Sequence, residues 1–392
     1  MRVTRTLRAG TGVALTGALL LAAGGTAQAD QIRGKQWPLE AFGAKDIWKQ
    51  ATGKGVTVAL IETGVRTSHQ DLTGQFVPGK DFTQGVDVSG ALKPGEDIRD
   101  HGTAMAGIIA GHGHGAGGAQ GIKGLAPGAK IMPLTAYKNE SQATRYAAEH
   151  GADVINMSYG VTRDADTCES IRYALDKGVI VVAGVGNDGA AKKNYPAACP
   201  GVIGVGAVNQ YGEVWTRSNY NDTVDLLAPG EDIPFAQGKS DSAYTVDRGT
   251  SAATAYVSAA AALLREKFPD LTPGQIANRL VKTAGLAKPE KAKNLKLPDA
   301  HYGYGFIQPA AALSRDIPAG PAEGPLPMPK GKAAQPAADS GADQGRQSAS
   351  SADTSKWLVI GGGVLAAVVV VGVVVGVVVS RRRGRSGSRA WS

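Results

Sequence analysis

Three short segments of the sequence carry side chains that could act together in nucleophilic catalysis. Glu62 ends a short apolar run, His101 opens a run of small residues, and Ser251 opens an alanine-rich run. A serine hydroxyl alone is a weak nucleophile, so it needs an imidazole to take its proton and a carboxylate to fix the tautomer of that imidazole. Acid, histidine, serine is also one of the known chain orders of such triads. The sequence therefore predicts a triad of Ser251, His101 and Glu62.

A fourth segment supplies a polar group that fits the same chemistry. Asn187 follows the apolar run that begins at Val182, and it lies among glycines. A side-chain amide at a strand end could stabilise the oxyanion that forms when a serine attacks a carbonyl, and losing such a donor costs about 2.7–4 kcal/mol. We expect Asn187 to act in this way, together with the backbone N–H of Ser251.

The elements that must position these side chains alternate along the chain. Short apolar, strand-like runs alternate with helix-like runs, which indicates an α/β fold with a parallel sheet and helices on both of its faces. Functional side chains of such sheets lie at the carboxyl ends of the strands. The strand-like runs are 56–61, 130–134, 153–157, 179–183, 202–208 and 224–228, and the helix-like runs are 103–110, 142–150, 169–177 and 251–268. A capping box at 272–275 predicts the start of one more helix.

The segments that carry the triad resemble the motifs of the subtilisin-like serine proteases, VAVIDTG, HGTxVAG, AAGN and GTSxAxP. The resemblance runs from about Trp37 to Ala312. Within that family the chain most resembles the mycosins, because it shares with them the signal peptide, paired cysteines, tether and basic tail that are predicted below. Mycosins are the membrane-anchored subtilases of actinobacterial type VII secretion systems. The matching segments here are Val58 to Gly64, His101 to Gly107, Gly184 to Asn187 and Gly249 to Ala255, with a further match at Asp225 to Gly230.

The resemblance implies a subtilisin-like fold and a serine endopeptidase that acts on a protein or peptide substrate. It implies that Ser158, Tyr159 and Gly160 pair with an extended substrate as an added strand. It also implies that type VII secretion membrane components are partners, and no cofactor is expected. No metal is expected either, because no nearby cysteine or carboxylate in the sequence completes a zinc site around the H-x-H pair of His112 and His114.

Three positions depart from the family motifs. Where the family has Asp, Glu62 adds a methylene that moves the carboxylate by roughly 1–1.5 Å, and a misplacement of about 1 Å can cost about 10²-fold in rate. Arg248 adds a charge before the serine, and Ala255 replaces a proline after it. The neighbouring Asp100 is an alternative orienting acid, although its place at a helix start suits a cap or a solvent-facing position. The departures favour a second hypothesis, a catalytically weak or inactive subtilase fold that serves as a scaffold of a secretion complex.

The two ends of the chain predict its location. Arginines before a short apolar run and an A-x-A site predict a secretory signal peptide over residues 1–29, with an uncleaved anchor as the alternative. The uncharged residues 357–379 are long enough for a transmembrane helix, and the arginines after them predict a cytoplasmic tail over 380–392. We therefore expect a single-pass protein of the cell membrane with an extracytoplasmic domain over 30–314 and a disordered linker rich in Pro, Ala and Ser over 315–356.

Charge and cysteine content exclude other classes of protein. Eight of the 42 Lys and Arg residues lie in the two termini, and the other 34 equal the 34 Asp and Glu residues. The net positive charge therefore lies in the two termini, and it indicates no nucleic-acid-binding face. Cys168 and Cys199 lie in a region expected outside the membrane, where a disulfide is the default, with two free buried thiols as the alternative.

Overall fold

The structure is a computed structural model that describes residues 31–84, 98–162, 165–286 and 294–327. All of these residues belong to one compact unit, Met1–Ala334. The predicted signal peptide 1–29, transmembrane helix 357–379 and tail 380–392 lie outside the described residues. Among the helices of the described ranges, none has the length and apolar character that crossing a membrane requires.

A seven-stranded sheet lies at the centre of the described part of the chain. The strands are β1 Thr57–Glu62, β2 Lys80–Asp81, β3 His112–His114, β4 Gln120–Lys123, β5 Lys130–Thr135, β6 Val154–Met157, β7 Ile180–Gly184, β8 Ile203–Val208, β9 Leu226–Pro229, β10 Ile233–Ala236 and β11 Tyr244–Asp247. The strand order of the sheet is β2-β5-β1-β6-β7-β8-β9, and every neighbouring pair in it is parallel, as the alternation of strands and helices predicted. The hairpins β3–β4 and β10–β11 form two separate antiparallel sheets of two strands each.

Helices cover both faces of this sheet. The alternation of side chains along β1 shows the two layers, since Val58 and Leu60 pack into the cluster that contains α3 and α6. Ala59 and Ile61 point to the opposite cluster, which contains α4 and α5. The helices are α1 Trp37–Ala41, α2 Ala44–Ile47, α3 Asp100–Ala110, α4 Glu140–Glu149, α5 Ala165–Asp176, α6 Thr250–Lys267, α7 Pro273–Thr283 and α8 Pro309–Ser314. The predicted α/β class with helices on both faces is confirmed.

Helix α6 crosses the sheet almost entirely buried. Its run Ala259–Ala262 is fully buried, and small side chains allow a helix to approach a sheet closely. The helix continues without interruption through Ala255, the position where the resemblance led us to expect proline. The predicted capping box is confirmed at the start of α7, where Thr272 accepts from the backbone N–H of Gln275 and the Gln275 side chain accepts in return.

The strand order fixes where a site can form. After β1, the chain first adds β5 beside β1 on one side and then adds β6 beside β1 on the other side. The direction of winding therefore reverses at β1. In open parallel sheets, side chains from the strand ends meet in the crevice at such a reversal. Glu62 is the last residue of β1, and Ser158 directly follows β6.

Residues 315–327 correct the predicted start of the linker at 315. This segment is ordered against α7, and Leu326 within it is only 6% exposed. Composition did not reveal this, because the segment is held by its backbone carbonyls and not by an apolar pattern. Arg279 donates to the backbone carbonyls of Ala312, Arg315 and Ile317, and Asn278 donates to those of Pro318 and Ala319. Gln275 donates to the carbonyl of Gly320, Thr272 to that of Ala322, and the backbone N–H of Gly201 to that of Pro327.

The predicted disulfide between Cys168 and Cys199 is confirmed, with the two Cα atoms 5.2 Å apart. It ties α5 to the turn that precedes β8. Both cysteines pack with the cluster on the α4–α5 face of the sheet. The bridge closes a loop between positions 31 residues apart, which limits the conformations of the unfolded chain.

Removing this bridge tests its contribution to stability. We expect the double variant Cys168→Ser with Cys199→Ser to unfold with a free energy about 3–4 kcal/mol lower than the native chain, because the unfolded state gains loop entropy. Urea unfolding of both proteins without reductant measures the difference. Adding a reductant should lower the stability of the native chain but not that of the variant; equal stability of the two proteins would contradict the prediction.

Candidate active site

The Glu62 carboxylate lies buried at the end of β1, with its side chain 3% exposed. Its Oε2 atom is 2.9 Å from Nδ1 of His101 and accepts from the backbone N–H of Thr63 at 3.3 Å. Its Oε1 atom is buried and has no hydrogen-bond partner among the described residues. One carboxylate oxygen therefore makes all of the hydrogen bonds described for this side chain, and the added methylene of glutamate does not prevent its contact with the imidazole.

His101 is presented by the first turn of α3, and its side chain is 46% exposed. The next residue, Gly102, allows α3 to approach the end of β1. A Cβ atom at Gly102 would overlap the carbonyl oxygen of Gly64 and would lie 3.1 Å from Cγ2 of Val65. The absence of a side chain at Gly102 therefore sets how close the imidazole comes to the carboxylate of Glu62.

Ser251 lies in the first turn of α6, and a short polar network fixes it to the end of β6. Its Oγ donates to the backbone carbonyl of Ser158 at 3.0 Å, while the Ser158 Oγ donates to the Ser251 carbonyl at 3.1 Å. Behind them, Asn156 donates to the Ser158 hydroxyl and accepts from Ser258, each at 2.9 Å. The sequence analysis did not identify Asn156 or Ser258, although their polar side chains within buried apolar runs were the available signal.

Asn187 lies three residues beyond the end of β7, and its side-chain orientation is fixed. Its Oδ1 accepts from both the backbone N–H and the hydroxyl of Thr250, each at 2.9 Å. Because the carbonyl oxygen is occupied, the Nδ2 group is left as the donor that faces the cleft beside Ser251. Thr250 is a third residue that the sequence analysis missed.

The predicted substrate segment Ser158–Gly160 runs from the buried interior to the surface. Ser158 is 4% exposed and is tied to Ser251, whereas Gly160 is exposed. Burial raises the pKa of the Tyr159 hydroxyl well above its ordinary value, and the carboxylates of Glu140 and Glu62 raise it further. Both causes favour the neutral form of the Tyr159 hydroxyl.

A cleft of about 190 Å³ joins three of the predicted residues, His101, Asn187 and Ser251. Its far wall comes from the β10–β11 hairpin and from Arg248. The structure thus brings the Ser251 hydroxyl, the His101 imidazole and the Asn187 amide to one solvent-accessible cavity, with Glu62 buried behind the imidazole. This arrangement contains the parts of a triad with an adjacent oxyanion donor.

Two further histidines, His69 and His114, lie beside the buried Asp71 and have the surroundings of structural residues. Asp71 is fully buried and accepts from the Ile122 N–H at 2.7 Å and from the Tyr244 hydroxyl at 2.9 Å, while its Oδ1 is 2.6 Å from Nδ1 of His114. His69 is also fully buried beside it. Over the described ranges, no group of three or more His, Cys, Asp or Glu side chains is arranged to hold a metal ion.

The order and placement of these residues agree with a comparison to known protein families. The model described as the Subtilase family (Peptidase_S8) matches residues 53–305. The chain belongs to the subtilase family. The predicted subtilisin-like fold is thereby confirmed, since the seven-stranded sheet, helices α3 to α7 and the positions of Glu62, His101 and Ser251 all lie inside the matched range.

Within the subtilases, the chain is similar to mycosins in sequence and fold. It is 34% identical over 355 residues to Mycosin-1 of Mycobacterium tuberculosis (strain ATCC 25618 / H37Rv), a match that covers 74% of this chain and 75% of the relative. The structure of MycP1 from Mycobacterium smegmatis matches with a TM-score of 0.60 at 29% identity and covers 76% of this chain and 89% of that one. The predicted mycosin resemblance is confirmed.

Two other subtilases match over a smaller share of their own length. Fervidolysin of Fervidobacterium pennivorans is 31% identical over 331 residues, which is 74% of this chain but only 45% of fervidolysin. The Thermophilic serine proteinase of Bacillus sp. (strain AK1) is 38% identical over 56% of this chain and 54% of its own length. The chain thus spans about half of these curated relatives.

The role of Asn187 can be separated from its structural contact with Thr250. We expect Asn187→Ala to lower kcat by about 10²–10³-fold, because the oxyanion would lose one donor. Asn187→Asp keeps an oxygen that accepts from Thr250 but lacks the N–H donor, so it should lose at least as much activity. Steady-state kinetics on a peptide substrate measure the effect, with thermal melting as the control for folding. Near-native kcat in both variants would exclude Asn187 as an oxyanion donor.

Proposed function

We propose that this chain is a serine endopeptidase in which Ser251 is the nucleophile, His101 the general base and Glu62 the acid that orients the imidazole. The observation that carries this proposal is the 2.9 Å distance between Glu62 Oε2 and His101 Nδ1. A carboxylate on Nδ1 fixes the tautomer in which Nε2 carries no proton and can accept the serine proton, and it stabilises the imidazolium that forms. The buried Glu62 therefore fulfils the role that aspartate has in the family motif.

The Ser251 hydroxyl must change its partner before the reaction. Its single proton is donated to the carbonyl of Ser158, and one proton serves one acceptor at a time. Rotation of the hydroxyl toward His101 transfers the proton to Nε2 and frees Oγ to attack the substrate carbonyl. The carbonyl oxygen then becomes an oxyanion, which the Asn187 amide and the Ser251 N–H stabilise. The imidazolium next protonates the leaving amine, and water hydrolyses the acyl-enzyme by the same steps.

The proposed location follows from the ends of the sequence and from the mycosin likeness. We place the protease on the outer face of the cell membrane, anchored by residues 357–379 after cleavage of the signal peptide 1–29. One structural neighbour is described as the MycP3 protease from the type VII (ESX-3) secretion system, with a TM-score of 0.58 at 28% identity. By analogy, we propose that this chain works with the membrane components of a type VII system.

A catalytically silent scaffold is the second candidate, and two observations favour it. The Glu62 Oε1 atom is buried without a hydrogen-bond partner among the residues that the structure describes, which costs free energy that a second hydrogen bond would offset. In addition, the Ser251 proton is donated to a backbone carbonyl that has no catalytic function. A scaffold would keep the fold and the secretion partners but would not activate Ser251.

Covalent labelling decides between the two candidates. We expect a fluorophosphonate probe to label the purified full-length chain at Ser251, because only an activated serine hydroxyl attacks the phosphorus centre. Mass spectrometry of the peptide that contains Ser251 locates the label, and Ser251→Ala is the matched control. A folded protein that stays unlabelled would rule out the endopeptidase and favour the scaffold.

Substitutions at Glu62 test its role as the orienting acid. Because glutamate already reaches His101, Glu62→Asp should withdraw the carboxylate by roughly 1 Å and lower kcat/KM by about 10²-fold. Glu62→Gln keeps the size but loses the charge and favours the wrong tautomer, so a loss of about 10⁴-fold is expected. Peptide hydrolysis by the three proteins measures both effects. A gain of activity in Glu62→Asp would show instead that glutamate attenuates this enzyme.

A further inference from the structure

The wall of the cleft opposite the substrate segment carries charged side chains that the triad chemistry does not use. We propose that Arg248 selects substrates with an acidic residue directly after the scissile bond. The inference rests on the proposed endopeptidase function and names a substrate preference for the same site. Arg248 stands three residues before Ser251 and lines the same cleft as His101 and Ser251.

The guanidinium of Arg248 has donor capacity left for a ligand. Its side chain is 57% exposed, and its ion pair with Glu231 is long, with 3.5 Å between Nη1 and Oε1. An arginine offers five N–H donors in a planar fork that matches a carboxylate. This long contact at Nη1, the one side-chain contact of Arg248 among the described residues, leaves the fork able to bind a second carboxylate that enters the cleft from solvent.

The position of Arg248 relative to the imidazole indicates which side of the scissile bond it reads. The imidazolium gives its proton to the leaving amine, so the substrate residues after the scissile bond must pass beside His101. The cleft is the space on that side, because it is bounded by His101 and by Ala104 and Met105 of α3. The segment Ser158–Gly160 does not line it. Arg248 therefore faces the leaving half of the substrate.

Other charges in the cleft do not cancel this preference. The acids are Asp100 and Asp247, and the second base is Lys239. Asp247 already accepts the Arg248 backbone N–H at 2.8 Å, and Asp100 lies in the first turn of α3, where the helix dipole offsets its charge. Helix α6 also begins at the cleft, so its N-terminal N–H groups add to the positive potential.

A matched pair of substrates isolates the effect of charge. Two internally quenched peptides differ only in Glu or Gln at the first position after the scissile bond, so their side chains have nearly the same size. We expect the full-length chain to cleave the Glu peptide with a kcat/KM about three- to tenfold higher than that for the Gln peptide. This is the size of effect expected of a charge-assisted contact in a solvent-accessible cleft. Raising the salt concentration should reduce this ratio, because the charges are exposed.

Variants assign the preference to a residue. Arg248→Gln should bring the ratio of Glu to Gln cleavage to about one, Arg248→Glu should invert it, and Arg248→Lys should retain part of it. Arg172→Gln, on the far helix α5 and paired with Asp176, controls for net charge and should keep the native ratio. The ratio is the informative quantity, since a structural effect of substitution changes cleavage of both peptides alike.

The outcomes separate this inference from the proposed function. A native ratio of about one, with both peptides cleaved, overturns the role of Arg248 and leaves the endopeptidase intact. Loss of the preference in Lys239→Gln but not in Arg248→Gln overturns it as well, because the base would be the wrong one. Failure to cleave either peptide, or any member of a mixed peptide library, overturns the endopeptidase and this inference with it.

Discussion

A buried carboxylate at the end of one strand must hold an imidazole that belongs to a different element, and the site depends on this contact. Glu62 lies on the central sheet, and His101 lies on the helix that packs over it. The distance between them is set by how closely α3 approaches β1, which Gly102 permits because a side chain there would overlap the carbonyl of Gly64. A glutamate functions at this position only if that approach and the strand end both suit its longer side chain.

The position of Ser251, the proposed nucleophile, depends on a second contact between layers. Helix α6 is rich in alanine and crosses the sheet while almost entirely buried, so its first turn is held firmly against the ends of β6 and β7. The network of Asn156, Ser158, Ser251 and Ser258 satisfies polar groups that would otherwise be buried without partners. Thr250 does the same for Asn187. The polar side chains of the site thus position one another, and the apolar packing around them excludes alternative arrangements.

The surface around the site differs in character from this interior. The β10–β11 hairpin and the loop before α6 present exposed charges to the cleft. Exposed charges of this kind contribute little to stability, and our proposal assigns one of them, Arg248, to substrate selection. On another part of the domain, polar side chains of α7 donate to backbone carbonyls of residues 315–320.

The sequence by itself determined the alternation of elements, the capping box, the cysteine pair and the residue types of the site, because each of these follows from local composition and order. It also indicated the family, since four motifs stand in the right order. Only the tertiary structure decided whether Glu62 reaches His101, which residue holds Asn187, and which charges face Ser251. Those relations join positions from 39 residues apart, for Glu62 and His101, to 93 apart, for Ser158 and Ser251. Distances between such positions follow from strand order and packing, which no local pattern encodes. The ordered conformation of residues 315–327 is a further feature that only the tertiary structure decided. It depends on hydrogen bonds from side chains of α7 and from Gly201, and not on the composition of the segment itself.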